Sequence, residues 1–261
     1  MTYPAPKFAY MLSALSLGLL ISWLLGPSMS EMAARSLGWM TLQNEDHPYE
    51  VQIVSRDPFI MHIGGFMSDR EIDHVIKVSE GKWETSKIYP NGEAYVDTNI
   101  RISEMAPVPR KDPTTKGIAR RAKKLQGWRG NSTFIEGMKA QRYGVNGFFA
   151  WHEDYDGRMD LGNRVTTFMV YLNDDFTGGG TNFPLLKRPD DPKWCDIIEC
   201  GDEEYPGVTF KPIKGAAVFW ENMYPNGSFH PNVRHASLPV KSGQKLGLNI
   251  FAWDKKWSRP E

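Results

Sequence analysis

The chain has little cysteine, no excess charge of either sign, no internal repeat and no low-complexity tract. Its 261 residues include two Cys, too few for a disulfide scaffold or a four-thiolate zinc site. Lys and Arg number 31 and so do Asp and Glu, giving a formal net charge of zero. That balance argues against a polyanion as main partner, so no nucleic-acid binding is expected. Hydrophobic residues make up 41% and charged residues 24%, which excludes a disordered or collagen-like chain. The length suits one sizeable domain, or one domain plus an appendage. Catalytic chemistry must therefore be sought in the six His and the carboxylates.

One long apolar run is present. Phe8–Leu25 (FAYMLSALSLGLLISWLL) carries no charge and follows Lys7. Eighteen helical residues span about 27 Å, close to a hydrocarbon core. Residues 1–30 are therefore read as a signal anchor or a cleaved signal peptide. Lys7 would stay cytosolic and the body would enter the secretory lumen. The expectation is a type II single-pass protein of the endoplasmic reticulum membrane, or a protein freed into the secretory pathway. Asn131-Ser132-Thr133 and Asn226-Gly227-Ser228 are glycosylation acceptor triplets, in keeping with export. Cys195 and Cys200, in KWCDIIECGDEEYPG, are candidates to close a small disulfide loop in an oxidising compartment. Residues 31–49 read as a linker, and residues 50–256 as one α+β domain.

Within that domain, Glu50–Ser55 and Phe59–Ile63 read as strands. Ser68 with Glu71 three residues on forms a capping box that opens a helix with Ile72, Val75, Ile76 and Val78 near one stripe. Gly81–Pro107 is polar and holds the turn signal Pro90-Asn91-Gly92. Pro113 opens a second amphipathic helix through Ile118, Ala122 and Leu125. Its outer face is basic (Lys116, Arg120, Arg121, Lys123, Lys124), read as a solvated surface. After Phe134 come short β-prone runs: Phe134–Tyr143, Arg164–Leu172, Val208–Pro212, Ala216–Trp220 and Lys245–Trp253. Gly, Pro and Asn turns separate them, the pattern of a β sandwich or barrel.

The chemistry concentrates in this second half. His152-Glu153-Asp154 places an imidazole and a carboxylate two residues apart, on one face of a strand. A second His from a distant strand would complete a two-His, one-carboxylate face with open positions, a set that suits non-haem Fe(II). Alone, His-x-Asp is a weak signal. Val208–Trp253 offers two candidates for the second His, His230 and His235. Lys245, ten residues beyond His235, could pair with the far carboxylate of 2-oxoglutarate. Gly178-Gly179-Gly180 reads as a turn, since no Gly-Lys-Ser/Thr follows to suggest phosphate binding.

Four segments, in this order, carry a resemblance. They are PFIMHIGGFMSDREIDHVIKVS, FIEGMKAQRYGVNGFFAWHEDY, RVTTFMVYLNDDFTGGGTNFP and HASLPVKSGQK. Together they resemble the 2-oxoglutarate- and Fe(II)-dependent dioxygenases of the prolyl 4-hydroxylase type, over about residues 50–254. The resemblance implies a double-stranded β-helix (jelly-roll) core with supporting N-terminal helices. It implies iron on His152, Asp154 and His235, the last preferred to His230 for its place before Pro239-Val240 and Lys245. It further implies that Lys245 binds 2-oxoglutarate, with Tyr143, Thr167 and Tyr171 beside it, and that Arg164 lies on the substrate side. Phe149, Trp151, Phe168 and Phe219 are candidates for an apolar lining, with plain core packing as the simpler role for each.

The implied reaction is hydroxylation coupled to conversion of 2-oxoglutarate and O2 to succinate and CO2, with L-ascorbate as an implied rescuer of the iron. A Pro-containing peptide or protein is the first substrate expectation. A free amino acid or small metabolite is the second, and a non-catalytic β-sandwich binding module the third. A zinc hydrolase would not call for Lys245. Leu246 stands where the family commonly has Trp, the loop after Asp154 is short, and Leu185–Gly207 reads as an insertion. Substrate choice is thus expected in the loops Gly81–Pro107, Tyr155–Asn163 and Leu185–Gly207. Nothing in the sequence sets an oligomeric state.

Overall fold

The computed structural model describes residues 47–89, 93–155, 162–201 and 204–254. The expected signal anchor, most of the linker, the Pro90-Asn91-Gly92 turn and the middle of the Tyr155–Asn163 loop lie outside the described residues. Among those described, no helix is long and apolar enough to cross a membrane.

In chain order the elements are β1 (Glu50–Arg56), β2 (Phe59–Gly64), α1 (Asp69–Ser79), β3 (Glu84–Thr85), β4 (Arg101–Ile102), β5 (Glu104–Pro107), α2 (Pro113–Leu125), β6 (Phe134–Ile135), β7 (Lys139–Tyr143) and β8 (Phe148–His152). There follow β9 (Arg164–Tyr171), β10 (Thr177–Gly178), β11 (Thr181–Phe183), β12 (Val208–Phe210), β13 (Ala217–Glu221), β14 (His235–Ser237), β15 (Val240–Ser242) and β16 (Lys245–Trp253). A major sheet runs β1-β2-β13-β9-β16-β7-β5-β3, with β6 also on β16, and a minor sheet runs β12-β11-β14-β8-β4. Every pairing is antiparallel, and β10–β15 form a separate ribbon.

The period-2 alternation of strands sorts side chains between two cores. On β9, Phe168 and Val170 face a core shared with Ile72 and Val75 of α1 and Ile118 and Ala122 of α2. Met169 and Tyr171 face the opposite core, which joins the sheets through Phe183, Phe210, Val218 and Trp220. Strands β9 and β13 are thus apolar on both faces, and their residues are buried almost throughout.

The expected capping box forms: the Ser68 side chain accepts from Glu71 N, and the Ser68 N–H donates to the Glu71 carboxylate. Arg121 ties α2 to this point by donating to both Glu71 oxygens and to the Phe66 carbonyl. Pro113 opens α2 behind an Asp112 cap.

Three expectations change in detail. Gly81–Pro107 contains β3, β4 and β5, which are two to four residues long and carry too little alternation to read. The run Phe134–Tyr143 splits at Glu136, so that β6 and β7 pair with opposite ends of β16. Phe168 and Phe219 pack under the helices rather than lining a site, and Trp151 is on the outside, 41% exposed.

Candidate active site

Strands β8 and β14 are neighbours, and His152 pairs in register with His235. Two steps on from His152, Asp154 returns to the same side. The ligand atoms of His152, Asp154 and His235 all lie within 4.8 Å of one another. His152 Nε2 is 3.6 Å from Asp154 Oδ1, and His235 Nε2 is 3.5 Å from Asp154 Oδ2. His230, the alternative candidate, lies elsewhere, paired with Asp57 and stacked on Tyr224.

Each imidazole is oriented from behind. His152 Nδ1 is 2.7 Å from the Ala150 carbonyl, and His235 Nδ1 is 3.0 Å from the Val233 carbonyl. Those nitrogens must donate, which leaves the Nε2 lone pairs for an ion. Burial pushes His235 down to about 4 despite the nearby Asp154, so its imidazole is neutral at pH 7. Burial opposes the charge on Asp154, but His235, His152 and Arg164 outweigh it and hold the carboxyl well below the usual range. Two imidazoles with Nε2 turned to one point and one carboxylate are the donors a divalent ion needs, and they fit Fe(II) with positions left open.

At the other end sits Lys245, wholly buried. It opens β16 opposite Tyr143 of β7. Its Nζ donates to the Gly179 carbonyl at 2.6 Å and to Ser237 Oγ at 2.7 Å, and lies 5.1 and 5.2 Å from the rings of Tyr143 and Tyr171. Among the described residues no carboxylate pairs with it. Burial without a counter-charge drives it down to about 7. A buried cation surrounded only by neutral acceptors is a receptor for an anion. Ser237 stands two residues after His235 on β14, a step of about 6.6 Å, short enough for one small diacid to touch both ends.

The other expected residues divide. Tyr143 and Tyr171 flank Lys245. Tyr143 Oη donates to Gln141, while Tyr171 Oη is bonded to Thr181, and burial raises its pKa so that it stays protonated. Thr167, expected beside the cosubstrate, instead donates to Asp154 Oδ2 at 2.8 Å. Arg164 is held by both oxygens of Glu136, lies over the Phe251 ring and reaches the Asp154 carbonyl. The disulfide Cys195–Cys200 is formed. Asn226 is exposed at a turn, accepting from Ser228, and Asn131 lies in the turn of 3-10 helix Gly127–Ser132.

Sequence reasoning missed four contributors. Ser237 was findable, since period 2 from His235 puts it on the same face. Gly179 was read as a turn residue only. With φ at 66° it uses the freedom of glycine, and a Cβ there would lie 2.8 Å from Phe176 and 3.2 Å from Lys245. Asn222 and Arg101 gave no local signal. Arg101 is buried over Phe149, which itself stacks on His152, and its Nη2 has no partner among the described residues.

A facial donor set with open positions, beside an anion receptor in a two-sheet β core, defines a class: the keto-acid-dependent non-haem iron oxygenases. The comparisons with known proteins agree. Residues 138–253 match the 2OG-Fe(II) oxygenase superfamily. Probable prolyl 4-hydroxylase 7 of Arabidopsis thaliana is 32% identical over 228 residues, 81% of this chain and 68% of the relative. Prolyl 4-hydroxylase subunit alpha-3 of Homo sapiens is 26% identical over 223 residues, but the chain spans only 37% of its length. The viral collagen prolyl hydroxylase of Paramecium Bursaria Chlorella virus-1, solved with 2OG, shares the fold at 24% identity and a TM-score of 0.55, over 74% of this chain and 95% of that one. The chain belongs to the prolyl 4-hydroxylase family of 2OG-Fe(II) oxygenases.

Proposed function

We propose that this protein is a prolyl 4-hydroxylase that acts on proline in a peptide or protein. The observation that carries the reading is one core with two complementary binding ends: His152, Asp154 and His235 gathered around one point, and buried Lys245 with only neutral partners among the described residues. Fe(II) and 2-oxoglutarate are the complementary pair. The choice of a prolyl substrate rests on the family relationship. A Trichoplax adhaerens prolyl hydroxylase solved with a hypoxia inducible factor peptide fragment has the same fold, at 12% identity and a TM-score of 0.53, over 87% of this chain and 94% of that one.

Iron with bound 2-oxoglutarate supplies the redox chemistry, by which O2 and 2-oxoglutarate yield succinate, CO2 and a hydroxyl group on carbon. The rest belongs to the chain. His152 and His235 bind through Nε2 because their Nδ1 protons are committed to main-chain carbonyls. Lys245 binds the far carboxylate, and Gly179 and Ser237 aim its ammonium group. Tyr143, Tyr171, Phe183 and Trp220 exclude water, which strengthens that ion pair. The unpartnered Nη2 of Arg101 supports a role as a donor to a substrate carbonyl.

We also propose the secretory lumen as the place of action, with the Phe8–Leu25 run as anchor or signal, glycosylation at Asn131 and Asn226, and ascorbate as the reductant that maintains ferrous iron. The Cys195–Cys200 disulfide and the exposure of Asn226 support this placement.

The test is succinate release and 4-hydroxyproline formation by the full chain with Fe(II), 2-oxoglutarate and either a Pro-rich peptide or free proline. Peptide-dependent turnover is expected. Turnover with free proline alone would transfer the protein to small-molecule chemistry, and no turnover of either would reject a prolyl substrate.

A further inference from the structure

Thr167 and Asn222 form a short chain of hydrogen bonds that ends on the candidate metal ligand Asp154. Both are wholly buried. Thr167 Oγ1 donates to Asp154 Oδ2 at 2.8 Å, and Asn222 Nδ2 donates to Thr167 Oγ1 at 3.0 Å. A hydroxyl has one proton. Once it accepts from Asn222, its proton is directed to the carboxylate. Asn222 is fixed on both main-chain sides, its N–H donating to Val165 and its carbonyl accepting from His230. Its Oδ1 is buried with no partner among the described residues. The reversed amide would present that oxygen to Thr167 and draw the proton away from Asp154.

We propose that the Asn222–Thr167 pair is a positioning device that keeps Asp154 a one-oxygen ligand. This rests on the Fe(II) and 2-oxoglutarate reading above. A carboxylate can bind an ion through one oxygen or both. The proposed reaction needs three open positions, two for 2-oxoglutarate and one for O2, and a chelating Asp154 would fill one of them. The Thr167 proton engages Oδ2 and leaves Oδ1 to the ion. Thr167 is suited to this by its β-branch, which limits its χ1 freedom. It is also clamped between β13 and β16, paired with Trp220 on one side and Phe251 on the other. Thr167 and Asn222 are positioning residues, acting through Asp154 and touching no reactant.

The test uses the full chain with Thr167→Val, Thr167→Ser, Asn222→Leu and His152→Ala. Fe(II) affinity is measured anaerobically by titration, and the ratio of succinate formed to hydroxylated product is measured in turnover. Thr167→Val is expected to weaken Fe(II) binding by about 10- to 100-fold, the usual loss when a ligand's supporting hydrogen bond is removed, and to raise the succinate-to-product ratio. Thr167→Ser restores both. Asn222→Leu moves both in the same direction by less, and it carries the test if the valine variant does not fold. Unchanged affinity and ratio in Thr167→Val, or in Asn222→Leu standing in for it, would overturn the inference. His152→Ala separates the two levels. If it binds Fe(II) like the parent, the metal site itself is wrong; if it loses Fe(II) while the variant under test does not, only the positioning role falls.

Discussion

The two ends of the site handle charge in opposite ways. At the metal end a buried carboxylate accepts from Thr167, lies beside two imidazoles and is held well below the usual range with the charge of Arg164 nearby. Its charge is stabilised before any ion arrives. At the cosubstrate end a buried ammonium has only a carbonyl and a hydroxyl to bond, and burial drives it down to about 7. The first end is prepared and holds its charge alone. The second is poised, and its charge is secured only by a ligand. Two complementary partners therefore stabilise the site, and the sheets place both ends on one strand, with His235 and Ser237 two residues apart on β14.

The largest effect is expected from removing the prepared end. Asp154→Ala abolishes iron binding and succinate release, measured by metal analysis and product assay. Retained iron would show that the three ligands do not share an ion. Lys245→Met separates the ends. Removing one member of a buried charge pair typically costs about 2–5 kcal/mol, so 2-oxoglutarate affinity falls by roughly 30-fold or more. The unliganded variant is as stable as the parent or more so at pH 7, because a buried cation without a counter-ion is gone. A marked fall in its melting temperature would contradict that account of Lys245.

A smaller effect follows from pH. Free Lys245 loses its proton near pH 7, whereas pairing with a bound carboxylate raises its pKa. Binding therefore takes up a proton above pH 7, and 2-oxoglutarate affinity falls as pH rises, by at most about tenfold per unit. The sign for folding is opposite. The unfolded lysine holds its proton to about 10.4, so the unliganded fold gains stability from this group between pH 7 and about 10. Calorimetry in buffers of different ionisation enthalpy measures the proton uptake, and affinity independent of pH would contradict the assignment. The smallest effect tests a region away from the site. Ser68→Ala removes the α1 cap and costs about 1 kcal/mol of stability, read by chemical denaturation, with turnover unchanged.

These contrasts also mark what the sequence reveals. His152-x-Asp154 is legible because period 2 on a strand is a strong local rule. His235 and Lys245 are legible because the resemblance spans a motif eleven residues long. The Ser68–Glu71 box is legible because capping is local chemistry. The bond from Thr167 to Asp154 is not legible: which group a side chain meets across a core depends on strand order, here β13-β9-β16, and no local pattern encodes it. Arg101 and Asn222 were missed for the same reason. Strands β3, β4 and β5 were missed because segments of two to four residues have no period.

The most direct test of the central claim is a crystal structure of the full chain grown anaerobically with Fe(II) and 2-oxoglutarate. It should show one ion bound to Nε2 of His152, Nε2 of His235 and one oxygen of Asp154, with the keto-acid end of the ligand on the ion and its far carboxylate on Lys245 Nζ. An ion bound elsewhere, or a 2-oxoglutarate whose far carboxylate lies away from Lys245, would contradict it.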